Sequence, residues 1–107
     1  MIPPSRRGAG GVDVLAYELL QEKAATLARM GRRFSDALEA LRAYDAERVE
    51  DDERRVGLVA AAGEALWFYV IQREVCGLRD SEAMMRQLDV PREVRLRMGL
   101  RGNRRTG

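Results

Sequence analysis

Histidine is absent from this sequence, and the chain has a single cysteine, Cys76. Enzyme active sites most often use an imidazole as general base, and histidine is also a common metal ligand. A lone thiol cannot form a disulfide within the chain, which is typical of proteins in a reducing cytoplasm. We therefore expect a non-enzymatic cytoplasmic protein with no catalytic residue, no cofactor and no bound metal.

Lysine and aromatic residues are also scarce. Lys23 is the only lysine, aromatic residues make up 6% of the chain, and the formal net charge is +2. Because arginine supplies nearly all the positive charge, its position along the chain is more informative than its total. Uncharged stretches are far shorter than the roughly 20 residues that a membrane-spanning helix needs. The first residues also lack the apolar core of a signal peptide. We expect no membrane partner.

Regular apolar spacing predicts a long first helix over residues 13–47, with Asp13 as its N-cap. Eight residues follow one another at steps of three and four, namely Tyr17, Leu20, Ala24, Leu27, Gly31, Phe34, Leu38 and Leu41. This is the a/d pattern of a coiled coil. The seam packs within the chain or between subunits, and the pattern leaves both arrangements open. Its small residues, Ala24 and Gly31, indicate that a large side chain such as Trp67 lies close.

Residues 47–53 carry five acidic side chains against Arg48, without glycine or proline. We predict a turn at 48–51, with Asp51 or Asp52 capping the next helix. One continuous helix through this segment is the alternative. The acidic cluster lacks the spacing and the fixed glycine of a calcium-binding loop, so we expect no metal site here.

A second helix is predicted over residues 52–76, with Gly77 ending it. It is apolar on all sides, which is typical of a buried helix. The face expected to meet the first helix consists of Val56, Val59, Ala60, Gly63, Leu66, Trp67 and Val70. The residues expected to contact a partner are Leu58, Ala65, Phe68 and Tyr69, together with Leu27 and Phe34 of the first helix. Glu74 is expected to form a structural ion pair with Arg79.

Two short helices are predicted at residues 81–88 and 91–98, the first capped by Asp80. One interpretation is a helix-turn-helix over 81–98 that binds DNA. Its nucleic-acid contacts would be Arg92, Arg95, Arg97, Arg101, Arg104 and Arg105. The other interpretation is a lid that covers the end of the hairpin through Met84, Met85, Leu88, Val90, Val94 and Met98. Against DNA binding, Arg95 stands where such motifs usually have an apolar residue.

Five short stretches together carry a resemblance, namely VDVLAYE at 12–18, ALW at 65–67, QRE at 72–74, CGLRD at 76–80 and VPREV at 90–94. With these stretches the chain resembles a group of small uncharacterised bacterial proteins. The resemblance covers roughly residues 12–99. It implies a small helical domain in which the C-terminal module belongs with the second helix, and it brings no activity, ligand or catalytic residue.

The sequence as a whole predicts an all-α protein with one domain over residues 12–99. We expect a long antiparallel hairpin followed by two short helices, assembled as a homodimer that resembles a four-helix bundle. Residues 1–11 and 100–107 are expected to be a disordered arm and a disordered basic tail. The expected function is self-association or interaction with another protein, with a DNA-binding regulator as the alternative.

Overall fold

The computed structural model describes residues 10–48 and 50–99, and this part of the chain is all-α, as predicted. Four helices follow in order: α1 (Gly10–Glu47), α2 (Asp52–Val75), α3 (Ser81–Gln87) and α4 (Arg92–Arg97). The first two pack as an antiparallel hairpin, and α4 packs on α2. None of the described helices has the length and apolar character needed to cross a membrane.

The core lies between the C-terminal half of α1 and the middle of α2. Phe34, Leu38 and Leu41 of α1 are buried, each at most 3% exposed. They meet buried side chains of α2, among them Ala62, Ala65 and Leu66. The rings of Phe34 and Tyr69 stack with centroids 6.2 Å apart. This half of the predicted seam therefore packs within the chain.

The N-terminal half of α1 has no such partner in the described chain. With 38 residues, α1 is about 57 Å long, whereas α2 with 24 residues is about 36 Å long. The first turns of α1 consequently run past the end of α2. Tyr17 and Leu20, the first two residues of the predicted seam, are exposed.

The start of α1 differs from the prediction. The helix begins at Gly10, three residues before the expected boundary, and Asp13 lies in the first turn instead of at the cap. A carboxylate in the first turn still lies near free amide groups and the positive end of the helix dipole. An aspartate is therefore favourable at the N-cap and in the first turn alike. Residues 10 and 11, assigned from the sequence to the disordered arm, are helical. Residues 1–9 and 100–107 of the predicted arm and tail lie outside the described residues.

The turn between α1 and α2 falls where the sequence predicts it. Arg48 has a left-handed backbone (φ 57°), which ends α1. The Asp51 carboxylate then accepts a hydrogen bond from the backbone amide of Arg54 at 3.1 Å and caps α2. The Tyr44 hydroxyl donates to the Asp51 carbonyl at 2.8 Å and accepts from the Asp51 amide at 2.7 Å. One buried tyrosine thus satisfies both backbone groups of the capping residue.

Two glycines mark where α2 and the C-terminal segment come closest. A Cβ at Gly63 would lie 2.6 Å from the Cβ of Arg97, so α4 packs directly on the α2 backbone there. One turn further along α2, Trp67 packs on Gly99, with 3.2 Å between the Gly99 Cβ position and the ring. Glycine is required at Gly63 because no side chain fits.

The expected place of Trp67 against α1 is therefore wrong. Tyr69 fills the space beside Gly31, with 3.2 Å between the Gly31 Cβ position and its ring. Residues two apart on a helix point to nearly opposite sides, so Tyr69 faces α1 while Trp67 faces the C-terminal segment. Val56, also assigned to the α1-facing side, is exposed.

α2 and α3 are each followed by a residue in the left-handed backbone conformation. Gly77 has φ +84°, and the amide of Leu78 donates to the Arg73 carbonyl at 2.8 Å, which is a Schellman C-cap. At the end of α3 a non-glycine residue, Asp89, takes the left-handed conformation (φ 50°). Arg42 of α1 supports this turn, because its guanidinium donates to the carbonyls of Leu88 and Asp89 at 2.8 and 3.0 Å.

The C-terminal helices close the core. Met84, Met85, Val90 and Val94 are buried in it, and Met98 packs partly against it. Leu88, also assigned to the lid, is exposed. Asp80 caps α3 by accepting from the amide of Ala83 at 3.0 Å, as predicted.

Replacing Tyr44 with phenylalanine should destabilise the protein by about 1–3 kcal/mol, because two backbone groups of Asp51 lose their partner. Urea unfolding measures this loss. Tyr17→Phe is the matched control, since the Tyr17 side chain is exposed and should tolerate the same change. Equal unfolding midpoints for both variants would contradict this account of the turn.

Alanine at Gly63 should destabilise the fold, because its Cβ would collide with Arg97. Alanine at Gly57 in the same helix should instead stabilise it by about 0.5–1 kcal/mol, since nothing lies within 4 Å and alanine is the better helix former. The two thermal midpoints should therefore move in opposite directions. A stabilised Gly63→Ala variant would show that α4 does not pack this closely on α2.

Candidate interaction surface

The N-terminal part of α1 leaves the hairpin at Lys23. Gln72, one turn before the end of α2, donates from its side chain to the Lys23 carbonyl at 3.3 Å. The Cys76 thiol contacts the same carbonyl at 3.7 Å. Every residue from 11 to 25 is exposed. We call residues 11–22 the α1 extension.

Large apolar side chains lie along this extension, each between 56% and 67% exposed. They are Val12, Val14, Leu15, Tyr17, Leu19 and Leu20. Isolated exposed apolar residues are normal on a protein surface, but a contiguous set is typical of an interaction site. Leu20 belongs to the seam that is buried further along α1 at Phe34, so the core-facing pattern continues beyond the core.

A shallow open groove begins where the extension ends. It runs along α1 beside α2 and is lined by Ala24, Leu27, Ala28, Gly31, Arg32, Ser35, Tyr69 and Leu88. The α1 side of the groove consists mostly of small residues. The groove is mainly apolar, and one cation, Arg32, lines it.

Charge changes sign where the extension meets the groove. The extension contains the acidic residues Asp13, Glu18 and Glu22 and no basic residue. The following segment, residues 23–33, contains four basic residues and no acidic residue. Within one continuous helix, an acidic segment is therefore followed directly by a basic segment of similar length.

A second, mostly apolar stripe lies on the side of α2 away from its core contacts with α1 and α4. It has the 3–4 spacing of a heptad and consists of Gly57, Ala61, Glu64, Phe68, Ile71 and Val75. Phe68, Ile71 and Val75 are exposed. Arg33 crosses from α1, pairing with Glu64 at 3.1 Å while its guanidinium lies 5.3 Å from the centre of the Phe68 ring. We call this stripe the α2 outer face.

The residues predicted to contact a partner are divided between the core and the surface. Phe34 and Ala65 are buried within the chain, and Leu58 and Tyr69 pack against the same core. Leu27 lines the groove, together with Tyr69. Phe68 lies apart from these residues, exposed on the α2 outer face. Phe68 is thus exposed to a partner, and Leu27, Leu58 and Tyr69 remain partly accessible.

The predicted ion pair between Glu74 and Arg79 does not form. Both side chains are exposed, so water solvates the carboxylate and no partner is required. The neighbouring Arg73 instead lies over the ring of Tyr69, 5.8 Å from its centre.

The arginines predicted to contact nucleic acid are partly engaged within the fold. Arg95 pairs with Glu82 of α3 at 2.7 Å, and the Cβ of Arg97 packs on the α2 backbone at Gly63. Arg92 is exposed. Arg101, Arg104 and Arg105 lie outside the described residues. The helix that would read DNA, α4, has only six residues.

A polar cluster that the sequence did not indicate joins three helices. Arg55 of α2 donates to both carboxylate oxygens of Asp45 in α1, at 2.7 and 3.0 Å. The same guanidinium donates to both oxygens of Glu93 in α4, at 2.8 and 2.7 Å. Such bidentate pairs fix orientation as well as distance. The separation of 38 residues between Arg55 and Glu93 explains why no local pattern reveals the contact.

The Arg55 cluster supports structure more than chemistry. Its hydrogen bonds hold the pKa values of Asp45 and Glu93 below their ordinary values, because the guanidinium favours the ionised carboxylates. Within residues 10–48 and 50–99, no group of three or more His, Cys, Asp or Glu side chains is placed to hold a metal ion.

The Arg55 cluster should make stability depend on pH in the acid range. Because the pKa values of Asp45 and Glu93 are lowered in the folded protein, their ionised carboxylates stabilise the fold at pH values above the ordinary carboxyl pKa of about 4. This stabilisation is lost as the pH falls from there through the lowered pKa values. Arg55→Gln should lower the urea midpoint at neutral pH and leave a smaller difference from the wild type at pH 3. Arg29→Gln is the control, because Arg29 forms only exposed contacts within α1, with Glu22 at 3.8 Å and with the Thr26 hydroxyl at 2.9 Å. A difference between Arg55→Gln and the wild type that does not change with pH would exclude this role.

Comparison with known proteins bears on the family and not on the activity. No curated protein and no solved structure matches the chain. The resemblance to small uncharacterised proteins is confirmed at the level of the family. The chain belongs to the family of unknown function DUF6665, whose sequence model matches residues 2–105.

Proposed function

We propose that this protein is a non-enzymatic helical module that acts by self-association, with a homodimer as its working form. One observation carries the proposal: the apolar side of α1 continues for about three turns beyond the end of α2, where nothing in the described chain covers it. Burying one leucine contributes about 1.5–3 kcal/mol, so covering several such residues would offset the entropy cost of association.

The size of the domain supports the same proposal. A chain of 107 residues buries a modest core, and here that core is confined to the C-terminal half of α1, the middle of α2 and the two short helices. A second copy supplies apolar surface that the described part of a single chain does not provide for the start of α1. Because the lone Cys76 is typical of a reducing compartment, we place this activity in the bacterial cytoplasm.

DNA binding by residues 81–98 is the weaker proposal. Arg95 and Arg97 already contact other parts of the fold, and α4 provides less than two turns to enter a groove. Binding to random duplex DNA over a salt series tests it. Affinity that falls steeply with salt would support a nucleic-acid function.

Sedimentation of the purified chain tests self-association directly. The wild type should sediment as a dimer at micromolar concentration. Leu20→Glu, which places a charge on the uncovered stripe, should weaken dimerisation roughly 10-fold or more. Leu15→Glu is the matched control, since Leu15 is the same residue type with the same 63% exposure but points about 140° away from Leu20 around the helix.

A wild-type monomer over the whole micromolar range would exclude the proposal. Equal weakening by the two variants would show that the stripe is not what holds the copies together.

A further inference from the structure

We infer that two copies pair through α1 in antiparallel orientation, so that the extension of each copy lies in the groove of the other and a two-fold axis passes at Ala24. This inference rests on the proposed self-association and specifies the surface that carries it. The occupant of the groove is the α1 extension of a second copy.

Charge is the first argument for this arrangement. Antiparallel pairing places the acidic extension of each copy beside the basic residues 23–33 of the other. A parallel pair would set acidic extension against acidic extension and basic segment against basic segment. Like charges placed opposite one another oppose association, so complementarity selects the antiparallel orientation.

Side-chain size is the second argument. About an axis at Ala24, residues equally far before and after it lie opposite each other. Tyr17 then lies opposite Gly31, and Leu20 lies opposite Ala28. These two large residues of the extension each meet a small residue of the groove, which is the alternation that close helix packing requires. Ala24 meets its own copy, and its small side chain allows the two helices to approach.

The ends of the paired stretch are also complementary. Asp13 lies opposite Ser35, whose hydroxyl can donate to the carboxylate. Glu18 lies near Arg32 on the flank of the pair, and neither has an ion-pair partner among the residues that the structure describes. Because of the two-fold symmetry, each of these contacts forms twice.

In the groove, the extension of the second copy contacts residues outside α1 as well. Tyr69 of α2 lines the groove and fills the space beside Gly31, so the Tyr17 ring of the second copy packs on the Tyr69 ring and not into a gap at the glycine. Leu88, exposed after α3, closes the far end near Ser35. The assembly therefore joins the extension to the hairpin and to the C-terminal module of the other copy.

A cysteine on the two-fold axis provides the test. In a Cys76→Ser background, which keeps a hydrogen-bond donor beside the Lys23 carbonyl, Ala24→Cys should form a disulfide-linked dimer on mild oxidation. Ala25→Cys is the matched control: it has the same size and exposure, but its side chain points about 100° away around the helix. We expect Ala24→Cys to cross-link several times faster. Circular dichroism before oxidation checks that both variants remain folded.

Charge reversal is an independent test of orientation. Glu18→Arg alone and Arg32→Glu alone should each weaken the dimer roughly 10-fold, because each creates two like-charged contacts. The double variant should recover most of the affinity. Glu39→Arg, an exposed reversal on α1 beyond the paired stretch, should leave the affinity unchanged.

The outcomes separate the inference from the proposed function. A wild-type dimer in which Ala24→Cys and Ala25→Cys cross-link equally would overturn the α1 pairing and leave self-association standing. Dissociation of that dimer by Ile71→Glu, with Leu20→Glu silent, would also overturn it and assign the contact to the α2 outer face. A wild-type monomer would overturn both.

Discussion

The packing of α2 between two partners is the constraint on which the rest of the structure depends. One side of α2 meets α1 through Ala65 and Tyr69, and another side meets the C-terminal segment at Gly63 and Trp67. Since α3 and α4 are only seven and six residues long, they are too short to be stable alone. Their position follows from burying Val94 and their methionines against a hairpin that already exists.

Polar contacts determine the geometry of this packing. The Arg55 cluster joins α1, α2 and α4, Arg42 supports the turn after α3, and the Tyr44 hydroxyl ties the hairpin turn to α1. All three residues lie near the closed end of the hairpin. That end is therefore held by both apolar and polar contacts, whereas no other helix among the described residues packs on the opposite end of α1. The contrast between the two ends is the main reason to place the interaction surface on the extension.

Much of the fold was predictable because its signals are local. Asp51 and Asp80 cap helices as expected, Gly77 ends α2, and the 3–4 spacing of Phe34, Leu38 and Leu41 identifies their buried side. The prediction was wrong where two faces of one helix were both apolar. On α2 the periodicity could not decide whether Trp67 or Tyr69 faces α1, because both belong to apolar stripes. Glu74 was given a partner that its exposed position does not require.

By itself, the sequence determined that the chain is helical, where three of its helices begin or end, and that the charged residues of α1 are all acidic over 11–22 and all basic over 23–33. These properties follow from residue type and short-range spacing. Only the tertiary structure decided which half of the α1 seam is buried, because that depends on where α2 stops along it. Only the tertiary structure brought Arg55 to Asp45 and Glu93 and Arg97 to Gly63, since contacts across so many residues have no period to reveal them. The α1 extension is uncovered because the apolar seam continues along most of α1, whereas α2 packs against only part of that length.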